Sequence, residues 1–228
     1  MRLTACVHND MRTQFRAGFY YAYAVVTAVY IIILRLLPQE AAELIAPVIL
    51  FSDPSVLGMF FVGGIILLEK NDNILESLFV TPVRVHEYIA AKVFSLGTIS
   101  LLSSFCIAFA YRGVDIYPGL LIAGVLLTSG LFTMLGIVIA SYAETVNAYL
   151  VEAMGYTFPL IAPLLAYFDV VSTELFWIIP THSSIMLISG AFHGIAAAEA
   201  SLAIGILIVY NGAVYMWAKK SFARRTGR

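Results

Sequence analysis

The chain has 228 residues, of which 61% are hydrophobic and only 12% are charged, and its mean hydropathy is +0.91. Soluble domains of this length carry about a quarter charged residues, so the composition excludes a soluble globular protein and predicts an all-α, polytopic membrane protein. The net charge of −1 and the two separated cysteines, Cys6 and Cys106, do not support nucleic-acid binding, a disulfide framework or a metal site.

Residues 1–17 are predicted to form a helix that lies in the membrane interface. Leu3, Val7, Met11 and Phe15 recur at every fourth position, and basic residues flank this apolar stripe. Such a pattern is typical of interfacial amphipathic helices.

Six segments are apolar and long enough to cross a hydrocarbon core, which needs about 20 helical residues. They are Phe19–Leu36, Val48–Leu68, Tyr88–Tyr111, Pro118–Tyr142, Asn147–Phe168 and Ala198–Ala218. Pro159 and Pro163 predict a kink in the fifth span, because proline removes a backbone donor. Asp53 is expected near the outer end of the second span, where its position before Pro54 favours a helix cap.

A further apolar run, Leu175–Ala191, is interrupted by Pro180 and by polar residues. Of the 13 Lys and Arg residues, only Arg35 and Arg112 fall on the outer side if the chain has six spans. This agrees with the positive-inside rule, whereas a seventh span would move the basic C-terminal tail outside. Residues 169–197 are therefore predicted to form an outer re-entrant region, and both termini are predicted to be cytoplasmic.

The stretch Glu69–Lys92, EKNDNILESLFVTPVRVHEYIAAK, is the longest polar interruption between spans. Asn73 with Glu76 three residues on forms a loose capping box, which predicts a helix start. Thr81–Pro82 gives a second start, because proline is favoured at the first helical position. A short helix, a corner and the entry to the third span are therefore expected.

Four apolar residues of this short helix share one side over two turns: Ile74, Leu75, Leu78 and Phe79. Two interpretations are open from the residues alone. The helix either lies in the lipid interface or docks into a groove of a soluble partner.

These features resemble the membrane subunits of ABC transporters of the ABC-2, or type V exporter, class. The resemblance rests on the basic amphipathic N-terminal segment, the L-x-x-x-P pattern with its closing lysine in Glu69–Lys92, and the outer element before the sixth span. It covers essentially the whole chain, as a single transmembrane domain of residues 1–228. The amino-acid sequence around NILESLFVTP most resembles that of subunits of fluoroquinolone exporters.

The resemblance implies two membrane subunits per transporter, either two copies of this chain or this chain with a related permease. It also implies a separate pair of ATPase subunits that use ATP and Mg. Residues 69–88 would form the coupling segment, with Asn73–Val80 as the coupling helix. The coupling residues would be Glu69, Asn73, Ile74, Leu75, Glu76, Leu78, Phe79 and Pro82.

The chain itself is predicted to be neither an enzyme nor a cofactor-binding protein. No G-x-x-x-x-G-K-[ST] loop or H-E-x-x-H motif occurs in it. Glu152 lies in the cytoplasmic half of the fifth span, where ionisable residues usually face a cavity or a partner. We expect Glu152, Tyr156, Met59 and Phe60 on the substrate path.

The expected function is thus export of a hydrophobic or amphipathic compound, such as a drug, antibiotic or lipid, across a bacterial or archaeal cell membrane. Two other classes stay open. An ion-coupled secondary transporter would need several ionisable groups at mid-membrane. A membrane assembly or receptor module could use the central stretch to dock a partner without transporting anything.

Overall fold

The computed structural model of the protein describes residues 2–53, 57–72, 84–171 and 174–225, and all regular structure in these ranges is helical. The helices are α1 Arg2–Arg16, α2 Phe19–Leu36, α3 Gln39–Ser52, α4 Gly58–Asn71, α5 Val85–Arg112, α6 Pro118–Tyr142, α7 Val146–Leu160, α8 Pro163–Tyr167, α9 Pro180–His193 and α10 Ala197–Arg225, with a 3-10 helix at Glu174–Ile178.

Five helical segments of the described chain are long and apolar enough to cross a membrane: α2, α5, α6, α7 together with α8, and α10. This confirms an all-α, multi-pass membrane protein. The first and fourth spans have the predicted bounds, because aromatic residues open α2 and Pro118 occupies the first position of α6. The predicted kink in the fifth span is also present, since α7 ends at Leu160 and α8 starts at Pro163.

The predicted second span, Val48–Leu68, falls on two α-helices of 14 residues each, α3 and α4. Asp53 and Leu57, which border residues 54–56, have π-helical backbone, and a crossing by this segment stays a prediction. Helix α3 begins at Gln39 rather than Val48, because Pro38 precedes it and Glu40 in its first turn suits the positive end of the helix dipole.

Asp53 directly follows the last residue of α3 and has helical φ and ψ angles of −61° and −59°. Its backbone N–H bonds the carbonyl of Ile49, and its predicted position near the outer end of the second span stays a prediction. Pro38 and Leu57 precede the first residues of α3 and α4.

The fourth span, α6, is the centre of the bundle and packs against α4, α5, α9 and α10. Small residues allow the close approach. An ideal Cβ built at Gly63 on α4 would lie 2.0 Å from the Tyr149 ring of α7, and one at Gly136 on α6 would lie 2.4 Å from Val62. The ring of Tyr149 therefore occupies space that only glycine leaves open.

The segment 169–197 holds the 3-10 helix and α9, which packs on α6, α10 and α3. At 14 residues, α9 is too short to cross the membrane, in agreement with the rejection of a seventh span. The Thr181 hydroxyl donates to the carbonyl of Leu160, which α7 leaves without an intrahelical partner where it ends. The re-entrant placement of this segment stays a prediction.

Candidate functional site

A buried cation joins three helices at one end of the bundle. Lys92, on the second turn of α5, is 1% exposed. Its ammonium donates to the carboxylate of Asp10 on α1 and to Oε1 of Glu69 near the end of α4, the latter at 2.5 Å. Glu69 and Lys92, the first and last residues of the central polar stretch, are thus ion-paired with each other. We call Asp10, Gln14, Glu69, Tyr88, Lys92 and Ser95 the ion network.

Neutral donors complete the coordination of both carboxylates. The Tyr88 hydroxyl donates to Oε2 of Glu69 at 2.6 Å. The Gln14 amide donates to Oδ2 of Asp10 at 2.7 Å, and the Ser95 hydroxyl donates to the same oxygen. Every oxygen of the two carboxylates therefore accepts at least one hydrogen bond, as buried charged groups require.

The network has two carboxylates for one ammonium, so it carries a formal net charge of −1 while buried. An ion pair in this position gains little over an apolar replacement, but the loss of one partner is costly because it strands the other charge. Such a network specifies the relative position of its helices more than it adds net stability.

The N-terminal helix is anchored by its polar side, and its placement in the membrane interface stays a prediction. Asp10 and Gln14 lie one turn apart and are buried, whereas Phe15 of the predicted apolar stripe is 53% exposed. Burial, with the negative charges of Glu87 and Asp10, raises the pKa of the Cys6 thiol on the same helix. Helix α1 is thus fixed to α5 by polar side chains, while Phe15 is exposed and Val7 and Met11 are partly buried.

The residue after Glu69 ties α4 to a different helix. The Lys70 ammonium donates to the carbonyls of Ala140 at 2.6 Å and Ala143 at 2.9 Å, at the C-terminal end of α6. A cation here satisfies carbonyls that lack intrahelical partners and suits the negative end of the helix dipole. Consecutive residues of α4 therefore hold α1 and α5 on one side and α6 on the other.

The last helix joins the same end of the bundle. The rings of Tyr88 and Phe222 stack with centroids 5.0 Å apart. The hydroxyls of Ser141 on α6 and Ser221 on α10 are 2.7 Å apart. Helices α1, α4, α5, α6 and α10 are thus all linked around the two flanks of the central stretch.

Of the coupling residues predicted from the sequence, Glu69 is 8% exposed and belongs to the ion network. Its side chain is directed into the subunit and does not form part of an outer surface. The remaining predicted coupling residues lie outside the described residues: Asn73, Ile74, Leu75, Glu76, Leu78, Phe79 and Pro82.

The residues predicted for the substrate path lie on two sides of α7. Met59 is buried, and its backbone carbonyl accepts a hydrogen bond from the Tyr149 hydroxyl on the inner side of α7. Phe60 is half-buried. Glu152 and Tyr156 are exposed on the outer side, where the Tyr156 ring contacts Trp217 of α10 at a centroid distance of 6.3 Å. A single subunit therefore does not bring the four together.

Sequence reasoning assigned Lys92 to the coupling segment but did not find its partners Asp10, Gln14, Tyr88 and Ser95. One signal was present in the sequence. Lys92 lies inside the predicted third span, and an intramembrane cation requires a partner. The partner itself was hidden, because Asp10 is 82 positions away from Lys92 and no periodic pattern connects them.

Comparisons with known proteins agree with this architecture. The model of the fluoroquinolones export permease protein family matches residues 1–226. Two curated relatives are fluoroquinolones export permease proteins of Mycobacterium tuberculosis, from strains CDC 1551 / Oshkosh and ATCC 25618 / H37Rv. Each is 26% identical to this chain over 210 residues, which cover 92% of this chain and 88% of the relative.

Proposed function

Because this chain belongs to the fluoroquinolones export permease protein family, we propose that it is the membrane subunit of an ATP-driven drug exporter. Two membrane subunits enclose the path of an amphipathic, fluoroquinolone-like compound, and ATP is hydrolysed with Mg by a partner chain. The complex resides in a bacterial or archaeal cell membrane.

The ion network is the observation that carries this proposal. It joins Glu69 and Lys92, which flank the predicted docking helix, and fixes both flanks to α1. A force applied to the docking helix by an ATPase would reach α4, α5 and α1 together rather than being absorbed by a loose loop. A module that only turned the chain round would not need a buried ion network at this position.

The exposed face of α7 supports a second membrane subunit. Glu152 lies there among the exposed apolar side chains of Val151, Met154 and Phe158. A carboxylate facing hydrocarbon costs about 3 kcal/mol or more, so such a residue needs a partner or a water-filled path beside it. We place the substrate path along this face, between two subunits related by a two-fold axis.

Six crossings with cytoplasmic termini are part of the proposal, with α3 and α4 together making the second crossing. The arrangement of basic residues supports it. Lys92 and Arg112 lie at opposite ends of α5, and Arg112 pairs with Glu43 at 3.2 Å at the end assigned to the outside. Lys70 and Lys92 both lie near the opposite end of the bundle, which is the end assigned to the cytoplasm.

Reconstituted transport tests the function. The permease is placed in proteoliposomes with and without its partner ATPase, and norfloxacin flux is measured with ATP, without ATP and with an ionophore that collapses ion gradients. We expect flux only when the ATPase and ATP are both present, and no effect of the ionophore. Flux that needs an ion gradient but not ATP would identify a secondary transporter, and no flux under any condition would favour a non-transporting module.

A matched pair of variants tests docking. Leu78→Asp/Phe79→Asp puts two charges on the side predicted to enter a groove of the ATPase, where desolvation is costly. Lys219→Gln/Lys220→Gln makes the same change of −2 in net charge at exposed positions of α10. We expect the first pair to abolish capture of the ATPase and the second to leave it intact.

A further inference from the structure

Asp53 is a buried carboxylate without a counter-ion. It follows the last residue of α3 and is 0% exposed. Neither of its oxygens has a hydrogen-bond partner in the part of the chain that the structure describes. The ion pairs of these residues are Lys92 with Asp10, Lys92 with Glu69, and Arg112 with Glu43, so none of them involves Asp53.

This lack of partners contrasts with the ion network, where each buried carboxylate oxygen is bonded. A buried charge is costly unless it is paired, and proteins keep such groups within a membrane mainly where they bind something. The position fits a binding role, because Asp53 and Leu57 have π-helical backbone, and π-turns next to α-helices are frequent at functional sites.

Hydroxyls of α2 and α5 lie beside Asp53. The Tyr23 hydroxyl on α2 bonds Ser100 on α5 at 3.2 Å, and Thr27 bonds Ser103 at 2.7 Å. Ser103 also lies near the Asp53 carboxylate, and Tyr23 is within electrostatic range of it. Hydroxyls can donate or accept, so they can serve both a neutral and a charged Asp53.

Tyr23, Thr27 and Ser103 also line an open cavity of about 400 Å³ between α2 and α5. Apolar side chains such as Ile31, Ile99 and Leu102 form most of its wall, and Thr27 and Ser103 supply its polar edge. This volume lies within the range of about 300–1,000 Å³ that holds drug-sized ligands in largely apolar sites with a few polar groups. Ser103 thus lines the cavity and is also a neighbour of the Asp53 carboxylate.

We propose that Asp53 is the binding site for a positively charged nitrogen of the exported compound, whose apolar body occupies the cavity between α2 and α5. Rotation of the Thr27 and Ser103 side chains opens the way from the cavity to the carboxylate. A protonated amine suits this site better than a metal ion, because the cavity wall is apolar and offers few oxygen ligands. The inference deepens the proposed function, on which it rests, by assigning a substrate class: amphipathic organic cations.

Binding to the purified permease in nanodiscs tests the site independently of transport. The probes are norfloxacin, whose piperazine ring carries a basic nitrogen, and N-acetylnorfloxacin, in which acetylation removes that charge with little other change. We expect the permease to bind norfloxacin at least tenfold more tightly than the acetylated compound. Asp53→Asn should abolish this preference, and Asp53→Glu should retain it.

Two further variants serve as controls. Asp115→Asn removes an exposed carboxylate and should leave the preference unchanged. Thr27→Leu places a larger apolar side chain in the lining of the cavity and leaves Asp53 unchanged. It should weaken the binding of both probes at least fivefold. This variant still tests the cavity if Asp53→Asn does not fold. Equal binding of the two probes by the unmodified permease, or an equal loss of both in Asp53→Asn, would overturn the assignment.

Transport of the same two probes by the complex with its ATPase separates this inference from the proposed function. If the complex moves neither probe with ATP, the exporter function fails, while the binding preference still decides the role of Asp53. If Asp53→Asn moves both probes like the unmodified complex, the cation site is refuted and the exporter function stands.

Discussion

Replacing Lys92 by methionine should destabilise the protein strongly. The substitution preserves most of the side-chain volume but leaves the buried carboxylates of Asp10 and Glu69 without a cation. Removal of one partner from a buried ion pair costs about 3–5 kcal/mol. For a chain of this size, each 1 kcal/mol shifts the midpoint of thermal unfolding by about 2–4 °C, so a fall on the order of 10 °C is expected.

The companion variant neutralises the carboxylates as well. Asp10→Asn and Glu69→Gln, combined with Lys92→Met, remove every charge from the network while keeping similar shapes, and replacing a whole buried ion pair is often neutral for stability. The triple variant should therefore recover most of the lost thermal stability. Lys220→Met, at an exposed position of α10, is the matched control and should change the unfolding free energy by less than about 0.5 kcal/mol.

The assay is thermal unfolding of the detergent-purified permease, followed by ATP-driven transport with the partner ATPase. A folded triple variant that binds the ATPase but does not transport would indicate that the charges of the network are needed for coupling. The reasoning would be refuted if Lys92→Met unfolded within 2 °C of the unmodified chain, or if the triple variant were no more stable than the single one.

Three further predictions follow from the packing and the charges. Gly63→Ala should lower stability by about 1–3 kcal/mol in thermal unfolding, because its Cβ would lie 2.0 Å from the Tyr149 ring, whereas Gly155→Ala, with open space around it, should be neutral or slightly stabilising. Glu152→Gln should reduce transport more than it reduces expression or thermal stability; unchanged transport would remove Glu152 from the path. In a background without Cys6 and Cys106, Lys220→Cys should react with a membrane-impermeant thiol reagent only after the cells are opened, and labelling of intact cells would contradict six crossings.

The sequence alone was sufficient to identify five helical segments that are long and apolar enough to cross a membrane. Long apolar runs have one stable backbone solution in lipid, because every N–H and C=O must be bonded within the segment. The bounds of α2 and α6, and the kink between Pro159 and Pro163, follow from local chemistry and were predicted correctly. Where polar residues extend a helix, as at Gln39, the first residue of α3, hydropathy marked the wrong boundary.

Only the tertiary structure decided which charged residues are paired. Glu69, Lys92 and Asp10 come from three helices, and Asp53 is unpaired although its sequence surroundings look no more unusual than theirs. Side-chain pairing across helices depends on the rotation and depth of each helix, which local periodicity does not specify. The apolar pattern determined that the long helices are suited to cross a membrane, and helix packing determined that Asp10 is ion-paired with Lys92 while Asp53 has no hydrogen-bond partner among the described residues.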